Sequence, residues 1–319
     1  MITRLTDLTL RCLDTTGASD ELLREFYTLL FSMGADLVEV DLETARRLGE
    51  ALNPSRTVLH LENPAEAIPG FVRYSCRISS GGGSLPFVRE VRMNDIRELP
   101  LLSRYKEEPA LRIVGLDDLI LQDFGRVLDR LRRELPPSVE FCPTNACGCA
   151  SALLTEWLVG EGGNGVGSFA GAGGYAPLEE TLLALRLTRK YQRHSDLGVL
   201  SRLRELYELL TGVRIPNHKA VLGREIFAVE SGVHVDGILK NTSVYEPYSP
   251  ELVGANRRFA IGKHTGRAGL LYVLKELGYV PDSSQVESLL QKVRMESVRL
   301  HRGLSAEELL TLAAGEGAL

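Results

Sequence analysis

Short runs rich in β-branched and aromatic residues occur at 37–42, 57–61, 71–78, 87–91, 111–114 and 139–141, and each reads as a strand. Helical periodicity separates them. Leu22, Leu23, Phe26, Leu29, Leu30 and Met33 recur at helical spacing between Ser19, a candidate cap, and Gly34, a terminator, with Asp20 and Glu21 at the positive N-terminal end. A second helix is predicted over 117–134. Strands alternating with helices predict an α/β fold with a parallel sheet. Between 57 and 91, however, three strands lie only about 8–10 residues apart, too close for the usual crossover helices, so the outer helical layer is expected to be thin there.

Residues 160–174 hold eight glycines and predict a loop, or a strand flanked by loops, with little side-chain packing of its own. The stretch has neither a Walker lysine nor a G-x-G-x-x-G following a strand, so it does not read as a phosphate cradle. Beyond 177 the pattern is mainly helical, at 177–191, at 196–211 and again after an irregular stretch to 263. Ser284 is expected to cap a helix over 285–301, and Ser305 with Glu308 forms a capping box. These changes place a domain boundary near 195, dividing the chain into 1–195 and 196–319.

With 319 residues, 44% hydrophobic and 25% charged, the chain suits a folded protein of two units, or one large barrel with an extension. A net charge of −5 disfavours nucleic acid and anionic lipid as partners. No apolar run reaches the ~20 residues of a membrane span, and Arg4, Asp7 and Arg11 interrupt the first residues, so a cytoplasmic protein is expected. Five cysteines, at 12, 76, 142, 147 and 149, are an odd number that argues against a disulfide framework and for free thiols or metal ligands. The C-x₄-C-x-C spacing of Cys142, Cys147 and Cys149 matches no common zinc or iron–sulfur module.

The most specific stretch runs from 223 to 266: GREIFAVESGVHVDGILKNTSVYEPYSPELVGANRRFAIGKHTG. Its E-S-G-V-H-V-D-G-I-L-K-N, the Y-E-P eleven residues after the histidine and the closing I-G-K-H-T-G resemble the C-terminal region of the homocitrate, isopropylmalate and citramalate synthase family. The H-V-D-G-I-L-K-N form is similar to bacterial homocitrate synthases of the nitrogen-fixation type, and the chain ends short of the large regulatory domain of isopropylmalate synthases. The resemblance implies a TIM-type (β/α)8 barrel, here reduced and degenerate, followed by a mainly helical C-terminal extension. It also implies condensation of acetyl-CoA with a 2-oxo acid, in which a divalent metal such as Mg or Mn polarises the oxo acid and an acid/base apparatus moves a methyl proton.

Against that family pattern the front of the chain departs from what the metal needs. Relatives open with D-T-T-L-R-[DE]-G-E-Q; here Arg11 is kept, but Cys12 replaces the ligating carboxylate. Where relatives carry H-x-H-N-D, this chain places Cys142 and Thr144 at the two histidines and keeps Asn145, and Ala170 takes the position of a ligand asparagine. The resemblance therefore implies that this chain holds no metal, with Arg11 and Asn145 as barrel remnants. A thiol-ligated metal built from Cys142, Cys147 and Cys149, with or without Cys12, is the alternative for a self-sufficient enzyme.

The back of the chain keeps the family's residues. In relatives the histidine of H-V-D-G and the tyrosine of Y-E-P enter the barrel mouth of a dimer partner, which implies His234 and Tyr245, with Glu230, as catalytic groups. Ser231, Asp236, Asn241, Lys263 and His264 are implied as substrate or coenzyme contacts, Lys263 and His264 equally as braces of the fold. Val229 stands where many relatives have a histidine, and His60, His194 and His301 read as structural. The expectation is one subunit of a heteromeric homocitrate synthase, similar to two-subunit enzymes whose omega-type chain carries the C-terminal region. Its partner would be a homologous chain with an intact metal-binding barrel. A non-catalytic regulatory or assembly member of the family is the other reading.

Overall fold

The computed structural model describes residues 4–76, 85–160, 163–188 and 195–315. They form two compact units that divide between Leu222 and Gly223. In the first, eight parallel strands close a barrel in sequential order: β1 (Leu5–Asp7), β2 (Leu37–Val40), β3 (Thr57–His60), β4 (Arg73–Cys76), β5 (Phe87–Met93), β6 (Leu111–Gly115), β7 (Glu140–Pro143) and β8 (Asn164–Gly167). Closure is direct, with Thr6 of β1 opposite both Leu37 and Val166. All eight strands of the family barrel are therefore present, and the reduction falls on the helices. Short α1 (Thr9–Cys12), α2 (Asp20–Met33) and α3 (Leu42–Leu48) serve the first strands. Between β3 and β4, by contrast, there is one 3₁₀ turn, Pro64–Glu66, and between β5 and β6 the 3₁₀ segment Ile96–Tyr105, with Pro100 inside it. The thin layer expected between 57 and 91 is found among the described residues; the end of the strand predicted over 71–78 lies outside them.

Local chemistry explains most element boundaries. The Ser19 hydroxyl accepts from Leu22 N at 3.3 Å to start α2, and Gly34, at φ 129°, ends it. The helix predicted over 117–134 is broken instead into a 3₁₀ turn and α4 (Phe124–Glu134), because the Asp123 carboxylate caps Arg126 N. After α5 (Ala150–Val159), the glycine-rich stretch packs far more tightly than expected. A Cβ on Gly165 would stand 3.0 Å from Leu154, Leu158 and Leu5, and one on Gly167 would stand 2.5 Å from the Ala176 carbonyl. These glycines allow α5 and α6 (Leu178–Leu187) to approach β8.

The boundary expected near 195 moves to 222. The helix predicted over 196–211, here α7 (Leu200–Thr211) after a 3₁₀ turn, belongs to the barrel unit: Arg202 pairs with Glu25 of α2 at 2.7 Å, and Tyr207 meets Phe169 edge-on at 5.7 Å. His194 lies outside the described residues.

Inside the barrel, three arginines and three glutamates replace part of the usual apolar filling. Fully buried Arg112 on β6 reaches Glu39 at 2.7 Å, Glu140 at 2.7 Å and Glu90 at 2.9 Å. Arg11 contacts Glu39 at 2.6 Å and Glu90 at 2.7 Å, and Arg73 pairs with Glu140. Burial alone would push these carboxyls up; the guanidiniums outweigh it, holding Glu39 low and Glu90 at about 2. Ser75 donates its hydroxyl to Glu39 at 2.7 Å, so its contact with His60 Nδ1 at 2.8 Å requires a proton on that nitrogen. Burial, then Arg11, keeps His60 below its usual pKa, and the ring is neutral and structural, as its sequence context predicts.

The second unit is β9 (Ala228–Val229), α8 (Gly232–Lys240), β10 (Arg258–Phe259), α9 (Arg267–Glu276), α10 (Val286–Leu300) and α11 (Ala306–Gly315), with β9 and β10 paired in parallel. Leu270, Leu274, Leu289, Leu290, Val293 and Leu309 form its core. The capping box is present: Ser305 Oγ accepts from Glu308 N at 3.2 Å and Glu308 accepts from Ser305 N at 2.8 Å. Ser284, by contrast, does not cap α10; its N–H and hydroxyl both bind Asp282 Oδ1, and the side chain of Gln285, at the cap position, turns back to accept from Asp282 N at 3.4 Å. His301 ends α10 as an exposed residue at φ 54°.

Removing one member of the barrel network strands charges out of water. Arg112→Ala is expected to cost about 3–5 kcal/mol of stability, measured by chemical denaturation. An unchanged midpoint would show that the network is not a stabilising unit. Asp7, at the end of β1, gives a pH signature: Oδ1 accepts from Thr9 N at 2.8 Å, Oδ2 has no hydrogen-bond partner among the described residues, and burial pushes the carboxyl up to about 7. The folded state therefore binds this proton more tightly than the unfolded chain, and stability falls as pH rises from about 4 to about 7. Asp7→Asn should remove that decline, making the variant more stable than the wild type at pH 8 by about 2–4 kcal/mol and little different at pH 4.

Candidate functional site

Two places matter, one in each unit. At the barrel mouth, where the family resemblance implies a cation, β1 and α1 bring Cys12, β7 brings Cys142 and β8 brings Val166. Cys142 and Val166 form an apolar cluster with Leu8 and Val114, against which Cys12 and Tyr175 pack. Burial pushes the Cys12 thiol up to about 12 and the Cys142 thiol well above its usual value. Hard cations such as Mg prefer oxygen donors, so a mouth lined by two thiols and aliphatic side chains does not fit such an ion. The remnant residues are also spoken for. Arg11 is held by Glu39 and Glu90, and Asn145 Oδ1 accepts from Ala150 N at 3.1 Å at the start of α5. Asn145 N donates to the Gly174 carbonyl at 2.7 Å, tying together the two loops that follow β7 and β8. Ala170 sits at φ 57° with its N–H on buried Glu179, at 2.9 Å.

The second unit builds a different kind of site. Gly232 opens α8 against Gly266, so close that a Cβ on Gly232 would stand 2.6 Å from the Gly266 Cα, and Gly232 N donates to the His264 carbonyl at 3.2 Å. This contact accounts for the glycines of E-S-G and H-T-G. Glu230 Oε1 accepts from His264 N at 2.8 Å, while buried Thr265 Oγ1 accepts from Gly262 N at 2.7 Å. Glu230, expected among the catalytic groups, therefore braces the I-G-K-H-T-G turn. Asn241 Oδ1 accepts from Ser243 N and Ser243 Oγ, starting the 3₁₀ turn that delivers Tyr245, and Asp236 pairs with Lys240 at 2.6 Å. Ser231 stands at the start of α8 without a side-chain capping bond.

Tyr245 then folds back onto α8. A Cβ on Gly237 would lie 2.2 Å from its ring, so only glycine admits the tyrosine there. The Tyr245 ring centroid lies 5.8 Å from that of His234, one helical turn before Gly237. His234 is exposed, as are Lys263 and His264 on the neighbouring turn. Three apolar side chains of the same segment are also exposed, Val233 (74%), Val244 (71%) and Leu239 (43%), beside the exposed Asp236–Lys240 ion pair. The arrangement presents an imidazole and a phenol at the surface of this unit.

The barrel network was missed in the sequence, although Glu39 and Arg112 stand in otherwise apolar strand runs and so carry a signal.

Residues 221–299 match the family model described as homocitrate synthase post-HMGL domain-like. The omega subunit of homocitrate synthase from Clostridium pasteurianum is 34% identical over 232 residues, 70% of this chain and 65% of that protein. A homocitrate synthase from Frankia is 43% identical over 137 residues, 43% of this chain and 33% of that one. The chain thus spans less than two thirds of the length of these curated relatives. In fold, an HMG-CoA lyase from Acinetobacter baumannii superposes with a TM-score of 0.53 at 11% identity, covering 67% of this chain and 93% of that one. Residues 221–299 thus belong to the homocitrate synthase post-HMGL domain-like family, and the chain is similar to homocitrate and isopropylmalate synthases over more of its length.

Proposed function

We propose that this chain is the non-metal-binding subunit of a heteromeric homocitrate synthase, an acyltransferase inactive alone, which supplies His234 and Tyr245 in trans to a partner barrel. The observation that carries the reading is the exposed His234–Tyr245 pair, on a segment that also exposes the apolar Val233, Leu239 and Val244. Proton transfer from carbon is efficient in a water-excluded cavity, and these groups stand in solvent in the isolated chain. A partner that covers this segment supplies the enclosure. A homologous subunit with intact ligands holds the divalent cation, Mg or Mn, and the 2-oxo acid, consistent with a donor set here that fits no such ion.

In the shared site His234 handles the proton of the acetyl-CoA methyl group, and the Tyr245 hydroxyl donates to the oxygen that becomes anionic as the enolate forms. Lys263, exposed beside this face, meets the phosphates of the coenzyme. The omega-subunit relative supports the division of labour, and homocitrate synthase relatives favour 2-oxoglutarate as the acceptor.

The test is reconstitution with a candidate subunit carrying intact R-[DE]-G-E and H-x-H-N motifs, following release of the coenzyme thiol from acetyl-CoA and 2-oxoglutarate. Neither chain alone should turn over, the pair should, and His234→Ala should lower the pair's kcat by ~10²–10⁴-fold while the complex still co-elutes. Gly237→Ala should cost a smaller factor, ~10-fold or more, by displacing Tyr245, since small misplacements of a reacting group are expensive. Full activity of the His234→Ala pair would leave the non-catalytic assembly reading, and turnover by this chain alone would overturn the partnership.

A further inference from the structure

Of the cysteines, Cys12, Cys76 and Cys142 are withdrawn into the barrel: Cys12 and Cys142 belong to the apolar mouth cluster, and buried Cys76 is directed to the Glu62 carbonyl. Cys147 and Cys149 are different. They lie on the loop between β7 and α5, at the mouth end of the barrel, Cys147 exposed and Cys149 half-buried. Gly148 separates them at φ 70°, and its N–H donates to the Asn145 carbonyl at 3.1 Å, closing a tight turn. The Cys149 thiol is folded back over that turn, donating to the Cys147 carbonyl at 3.4 Å. Two accessible thiols two residues apart, with the chain between them folded at Gly148 and one thiol already curled toward the other residue, have the sequence separation and the turn that a small disulfide ring needs.

We infer that Cys147 and Cys149 form a reversible dithiol–disulfide site at the barrel mouth, closed by exchange with an external small-molecule disulfide. The Cys147 thiolate, the more accessible, attacks one sulfur of that disulfide, breaking its S–S bond and releasing one small thiolate. The Cys149 thiolate then attacks Cys147 Sγ, forms the Cys147–Cys149 bond and expels the second small thiolate. The two protons lost by the protein thiols end on the two released small thiols, so the protein pair is oxidised by two electrons and the external disulfide reduced by two. The closed ring would stiffen the turn from Asn145 to Ala150. That turn holds the start of α5 and, through Asn145 N on the Gly174 carbonyl, the loop after β8. The inference is independent of the synthase reading.

The probe is oxidised glutathione, added to the reduced full-length chain, quenched with acid and mapped by alkylation and tandem mass spectrometry. The wild type should lose two hydrogens, localised to Cys147 and Cys149, with the glutathione adduct at Cys147 below about a tenth of the closed form, because ring closure is intramolecular. Cys149→Ser, with a serine at a helix-start position that favours it, should accumulate the Cys147–glutathione mixed disulfide; circular dichroism confirms its fold. Equal adduct in wild type and Cys149→Ser, or no reaction at either cysteine, would overturn the inference.

Discussion

Everything in the barrel unit rests on keeping charge balanced where water is absent. Arg11, Arg73 and Arg112 face Glu39, Glu90 and Glu140 inside the closed sheet, and Arg112 alone spans three strands by contacting Glu39 of β2, Glu90 of β5 and Glu140 of β7. Burying any one of these ions alone would cost several kcal/mol. Together they pin the strands at fixed relative heights, because a slip of one residue would turn a guanidinium or carboxylate out of the interior and leave its partners unpaired. The network thereby supplies a definite register to a barrel whose outer helices are sparse between β3 and β6.

The same network makes the fold independent of what lines the mouth. The charged lattice lies inside the sheet, whereas Cys12, Cys142, Leu8, Val114 and Val166 close its end with apolar contacts. A hard cation such as Mg would need oxygen donors there; the structure offers two thiols and an arginine already committed to two glutamates. Arg11 survives as a structural ion.

Much of this was legible in the chain. Strand runs, the α2 caps and the 305–308 capping box follow from local chemistry, and the fold holds them as read. The break at Asp123, the Asx turn that displaces Ser284 and the tight packing of Gly165 and Gly167 were not legible, because each depends on which neighbour arrives: a competing cap in the first two, facing helices in the third. The unit boundary was misplaced for a related reason. Nothing local to 196–211 distinguishes a helix that continues a barrel from one that starts a new unit; the pairing of Arg202 with Glu25, remote in sequence, decides it.

In the second unit, the long family motif separates once every residue with an internal task is set aside. Gly232 and Gly266 permit backbone contact, Gly237 makes room for a ring, Glu230 and Thr265 brace a turn, Asn241 starts the next and Asp236 pairs with Lys240. The side chains of His234, Tyr245, Lys263 and His264 remain, each exposed. A histidine that earned its place by packing would be buried or bonded, as His60 is. His234 is instead lifted into solvent beside a phenol, on a helix whose own glycine exists to hold that phenol in place. So much framework positioning so few unburied groups is what the proposed role in trans requires, since a reacting group is useful only when its neighbours hold it in place.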